Sequence, residues 1–233
     1  MSAATITATT RQVSPTRPQL LAGAVAGPLF LTGWLAQAAS RDGFDPSRHP
    51  LSLLSLGDQG WVQIANFVVT GSLYVAGAVG LRRTFRRGRG RSWAPLLVGG
   101  FGVGLVLAGV FVTDPGAGFP AAAPAGAPLH VSWHGILHEV GFGLAQLCWV
   151  AATVVLARRF ADERRWGWTA ACLGSLVGAL TIVGWPDLSS FALRSVVATG
   201  VELGLLTAVF VRLLVRSAPG PASGTAGSAD ARA

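Results

Sequence analysis

A chain of 233 residues that is 51% apolar and 12% charged, with a mean hydropathy of +0.53, is long enough for one ordinary domain but too greasy for a water-soluble one. Its formal charge of +8 does not point to nucleic acid: all 18 basic residues are arginines, and they stand in short clusters between apolar blocks, as in cytoplasmic membrane loops. Cys148 and Cys172 fall inside apolar blocks and read as packing residues, not as a disulfide.

Block length decides the class. About 30 Å of hydrocarbon takes about 20 residues of helix at about 1.5 Å per residue, and apolar blocks of that length occur six times. Residues 1–19 are polar, carry Arg11 and Arg17, and predict a disordered tail. Leu20 to Ala39 is the first span. Its Ala36-Gln37-Ala38 end resembles a signal-peptidase site, but the length of the run, with Pro28 and Trp34 inside it and five more spans downstream, favours a transmembrane helix over a cleaved leader.

Ser40 to Gly60 is a polar loop punctuated by Pro46 and Pro50, in which Leu51 to Leu56 predicts a short interfacial helix. Trp61 marks the headgroup level, and the second span runs to about Leu81. Gln63, Asn66 and Thr70 recur on it at i, i+3 and i+7, which predicts a polar stripe turned into the bundle. Six arginines follow within Arg82 to Arg91.

Trp93 to Val112 is the third span. Its glycines, Gly99, Gly100, Gly102, Gly104 and Gly109, suit close helix contact within or between chains, so a homo-oligomer is compatible with it. A Gly/Ala/Pro-rich loop from Asp114 to Trp133 leads to a fourth span, His134 to about Leu156. Arg158 to Arg165 is a second basic connector, Trp168 to Gly184 a fifth span, and Trp185-Pro186-Asp187 a tight turn. The sixth span runs from about Arg194 to Val215, and residues 216–233 predict a second disordered tail.

Arginine counting orients the chain. With both termini cytoplasmic, fifteen of the 18 lie inside and only Arg41, Arg48 and Arg194 outside, whereas all four histidines and most acids lie near the outer ends. The expected architecture is therefore all-α: a polytopic membrane protein of six transmembrane helices over residues 20–215, both termini cytoplasmic, in contact with membrane lipid.

Two groups of residues offer chemistry. His134 and His138 stand four apart at the start of a helix and could both ligate a metal, with Asp114 as third ligand, or with His130 or His49 in its place. Zinc held this way would leave a position open for water, with Glu139 as candidate base. The pattern is not His-Glu-x-x-His, because Gly135 follows the first histidine and Glu139 follows the second. The same imidazoles would equally serve as hydrogen-bonding groups that tie two loops together.

Glu202 is the second group. It falls near the middle of the sixth span, where a carboxylate must be protonated, paired or wet, and Gln63, Asn66, Thr70 and Gln146 are candidate partners. It reads either as a proton or ligand site or as a polar clasp between helices. In the first outer loop, Asp45, Arg48, His49, Ser52, Ser55 and Asp58 form a candidate polar lid, and no Gly-x-Ser-x-Gly elbow accompanies Ser52 or Ser55.

Several stretches together resemble a known family. Pro28-Leu29-Phe30, Arg41-Asp42-Gly43-Phe44-Asp45, His49-Pro50-Leu51-Ser52, Gly60-Trp61-Val62-Gln63-Ile64-Ala65-Asn66-Phe67, Thr113-Asp114-Pro115 and His134-Gly135-Ile136-Leu137-His138 are similar to the bacterial integral-membrane family called domain of unknown function 998. The likeness covers Leu20 to Val215. It implies a six-span protein of the bacterial inner (plasma) membrane and brings no activity with it. The expectation for function is an outer polar site that binds a small polar ligand, a lipid headgroup or a metal. The alternatives are a zinc-dependent membrane hydrolase of lipid-like amides or esters, and a proton-coupled small transporter using Glu202.

Overall fold

The computed structural model describes residues 16–217, so the tails at 1–15 and 218–233, expected to be disordered, lie outside the described residues. Six helices follow one another: α1 (Arg17–Ser40), α2 (Gly60–Thr84), α3 (Trp93–Val110), α4 (Trp133–Asp162), α5 (Trp166–Gly184) and α6 (Phe191–Arg216). Each is long and apolar enough to cross a membrane. Inside hydrocarbon a backbone N–H finds no water, and a helix satisfies all such groups within one segment. Among the described residues the only β pairing is an isolated bridge between Gly116 and Phe119.

The helix bounds depart from the apolar blocks for local reasons. α1 starts at Arg17, ahead of Leu20, with Pro18 in its first turn, where a missing N–H costs nothing. It runs unbroken through Ala36-Gln37-Ala38 to Ser40. α4 continues past Leu156 to Asp162, and the chain breaks only near Arg164, which has a positive φ of 55°. α3 stops at Val110, short of Val112, and the carbonyls beyond its last turn bond to histidines of α4.

α3 lies between α2 and α4 at backbone distance. A methyl group on Gly102 would strike the carbonyl of Gly71, and one on Gly104 would meet the Gly141 carbonyl and the Ala145 nitrogen, both at 2.6 Å. Lipid tails are as apolar as the side chains, so close backbone approach and dispersion, not hydrophobicity, hold such helices together. Trp149, Tyr74, Phe160 and Phe210 fill the interior. α5 is peripheral: of its residues only Cys172 and Ala179 are buried, while Val177 and Leu180 face outward.

Six antiparallel helices give the bundle two chemically different ends. At one, the arginine end, Arg83 donates to Gln19, Arg159 donates to the carbonyls of Arg87 and Arg89, and Arg89 pairs with Asp162 at 3.2 Å. The opposite, loop end gathers the connections 41–59, 111–132 and 185–190. The first of these carries a short 3-10 helix, Leu51–Ser55, with Leu53 and Leu54 buried.

Candidate functional site

The loop end is built in two tiers, a hydrogen-bonded rim and a cavity beneath it. In the first loop, Arg41 donates to the carbonyls of Leu54 and Leu56 at 3.3 and 2.6 Å and so closes the loop on itself. His49 is buried between the rings of Phe44 and Phe119, at centroid distances of 5.4 Å to each. Its Nδ1 accepts the backbone N–H of Asp45 at 2.8 Å, which fixes the proton of the neutral ring on Nε2. Asp45 is occupied in turn by the Ser47 hydroxyl and N–H, and these bonds hold its carboxyl below the usual range. His49 is thus a plug that locks the first loop to Phe119 of the second. Arg48 remains exposed beside it.

In the second loop Asp114 accepts from Ser132 twice, from its hydroxyl at 2.6 Å and its N–H at 2.9 Å. These bonds keep its carboxyl below the ordinary value, the hydroxyl contributing most. Ser132 is the N-cap of α4 and accepts from the Gly135 N–H at 3.0 Å. Gly135 itself packs against the Asp114 carboxylate, and no side chain fits there.

His134 and His138 do share the face of α4 that meets α3. Each turns Nδ1 to a backbone carbonyl: His134 to Val112 at 2.8 Å, and His138 to Ala108 at 2.8 Å and Phe111 at 3.0 Å. A carbonyl only accepts, so Nδ1 carries the proton in both rings. Among the described residues no group of three or more His, Cys, Asp or Glu side chains is disposed to hold a metal ion. His130 and Glu139 are exposed.

Beneath this rim lies a cavity of about 640 Å³ that all six helices border. Arg48, Asp114 and Glu139 stand at its loop-end margin; Phe30, Phe67, Phe101 and Phe142 line its walls; Gln146, Trp149 and Glu202 form its floor. Glu202 is buried at 6% exposure. With the Gln146 carboxamide nitrogen turned toward it, that amide reaches both carboxylate oxygens, at 3.2 and 3.1 Å. The Trp149 indole N–H donates to the Glu202 backbone carbonyl at 3.3 Å and ties α4 to α6 at this level.

Gln63, Asn66 and Thr70 are buried, as the stripe on α2 predicts. Gln63 and Asn66 turn to α1, away from Glu202: Gln37 donates to Gln63 at 2.7 Å, and Asn66 donates to the Phe30 carbonyl at 3.0 Å and to Gln63 at 3.2 Å. They form a clasp between two helices, outside the cavity lining.

Residues 24–215 match the family described as "Protein of unknown function (DUF998)". The chain belongs to this family. The DUF998 match takes in both loops of the rim, the cavity and nearly all of the six helices. No curated protein and no solved structure matches the chain. Within this DUF998 protein, sequence reading passed over Gln37, Ser132, Phe119 and Trp149. Ser132 carried a signal, a serine directly before a helix and three residues ahead of a close-packing glycine. Gln37 showed only as part of a cleavage-like tripeptide, and Phe119 as one apolar residue in a loop of small ones.

Proposed function

We propose that this protein binds an amphiphilic small molecule in the cavity beneath its loop end, and that this end faces away from the cytoplasm. The cavity itself supports the reading: a volume of about 640 Å³ is in the range of small-molecule sites, its walls are mainly aromatic and aliphatic, and its charged groups stand at its two ends. Such a lining matches a molecule with an apolar body and a polar terminus, and it would hold a compact polar solute poorly. The arginines support the orientation: thirteen of those in the described residues, from Arg17 to Arg216, gather at the arginine end, against Arg41, Arg48 and Arg194 at the loop end.

Native mass spectrometry of protein purified in mild detergent tests the binding. Wild type should carry an adduct of amphiphile mass, and Ala198→Phe, which fills the lining from a buried position on α6, should lose it while the protein remains folded. Equal adduct on both proteins would remove the cavity from consideration.

A further inference from the structure

Resting on the cavity reading, we infer that the ligand is a lipophilic cation, an organic ammonium or phosphonium class molecule, whose charge is met by the Glu202 carboxylate at the cavity floor.

The argument starts from charge. Glu202 is buried in the membrane-spanning part of α6, and its side chain has one partner, the neutral amide of Gln146. The ion pairs of Arg89 with Asp162 and of Arg159 with Glu163 lie at the arginine end. Arg194, two turns from Glu202 on the same helix, is committed to the carbonyls of Ile182, Val183 and Trp185. A carboxylate at such depth must be protonated, paired or wet, and among the described residues no cation is paired with it. The cavity beside it has room for one.

The rest of the lining agrees in sign. Its charged residues are three acids, Asp114, Glu139 and Glu202, against the single cation Arg48 at the margin. Phe67, Phe101, Phe142 and Trp149 line the same cavity as Glu202, and aromatic faces attract cations, most strongly out of water. An anion would meet two acids against one arginine at the margin and a carboxyl at the floor.

Proton and cation compete for one carboxyl, so binding weakens as pH falls. The titratable and charged groups that share the cavity with Glu202 are His138 and Glu139 on α4, Asp114 in the second loop and Arg48 in the first, with Tyr74 on α2 close by; the lining contributions of α1, α3 and α5 are uncharged.

Tetraphenylphosphonium and tetraphenylborate, ions of one shape and opposite charge, test the inference on protein in phosphatidylcholine nanodiscs. Wild type should bind the phosphonium at least about tenfold more tightly than the borate, relative to empty nanodiscs, with affinity falling by up to about tenfold per pH unit in acid. Glu202→Gln should lose the preference and the pH dependence, and Glu202→Asp should keep both. Equal binding of the two ions by wild type leaves the cavity reading standing and overturns the cation. Binding of neither ion, with no native adduct, overturns both. The wild-type comparison decides even if the glutamine variant does not fold.

Discussion

Asp114 and Ser132 are eighteen positions apart and bonded twice, at 2.6 and 2.9 Å, across the base of the second loop. The pair closes the Gly/Ala/Pro-rich segment between α3 and α4, and because Ser132 also caps α4, it sets where that helix begins. The rim of the cavity hangs from this contact: Asp114 lines the cavity, and His134 and His138 lie in the first turns it starts.

Asp114→Asn should lower thermal stability. An asparagine accepts through one oxygen and presents an NH2 group to the second Ser132 donor, which costs about 1–3 kcal/mol. The Ser132 bonds hold the wild-type carboxyl below the ordinary aspartate range, so the contact contributes stability above that range. That contribution is lost as pH falls through the lower folded value. Melting curves of both proteins should therefore differ at neutral pH and converge in strong acid; a constant gap at every pH would show that the charge of Asp114 is irrelevant.

Gly104→Ala should separate α3 from α4. Its added methyl meets Gly141 O and Ala145 N at 2.6 Å, and backbone on both sides cannot yield as a side chain would. Overpacking of this kind costs about 1–3 kcal/mol. Gly174→Ala on α5 meets nothing within 4 Å and serves as the control, expected to be neutral or slightly stabilising. Equal melting temperatures for the two variants would disprove the close packing of α3 on α4.

His138→Ala should uncover the carbonyls of Ala108 and Phe111 at the end of α3 and cost about 1–3 kcal/mol. Zinc content measured on the same preparations separates a bonding role from a ligand role. The expected outcome is a lower melting temperature with metal content equal to wild type. A drop in zinc with unchanged melting would make His138 a ligand instead.

Orientation is open to labelling. A cysteine placed at Ser47, exposed in the first loop, should react with a membrane-impermeant maleimide in intact cells, and one at Arg87 only after permeabilisation. The reverse pattern would place the arginine end outside and would require the cavity to open toward the cytoplasm.

The fold was legible because membrane insertion is a composition rule: a block of about 20 apolar residues forms a helix whatever its neighbours are. The polar stripe on α2 was legible for the same reason, since helical spacing places Gln63, Asn66 and Thr70 on one face without reference to anything else. Their partners were not. Gln63 meets Gln37 of α1, twenty-six positions away, and Glu202 meets Gln146 of α4, and nothing in the spacing of either pair encodes which helix lies alongside. Asp114, His134 and His138 do come to one rim as their flanking positions suggest, yet both imidazoles spend Nδ1 on carbonyls that only become neighbours once α3 ends against α4.

By itself, then, the sequence determined six spans, the split between an arginine-rich end and an end bearing all four histidines, and the presence of one carboxyl at membrane depth. These depend on local hydropathy, charge and helical period, which are properties of short stretches. Only the tertiary structure decided that a cavity lies between the rim and Glu202, that His49 is a plug between two phenylalanines, and that Gln63 and Asn66 of the α2 stripe form a clasp. Those depend on which helices touch and how closely, and that is set by glycines and aromatic volumes drawn from distant parts of the chain.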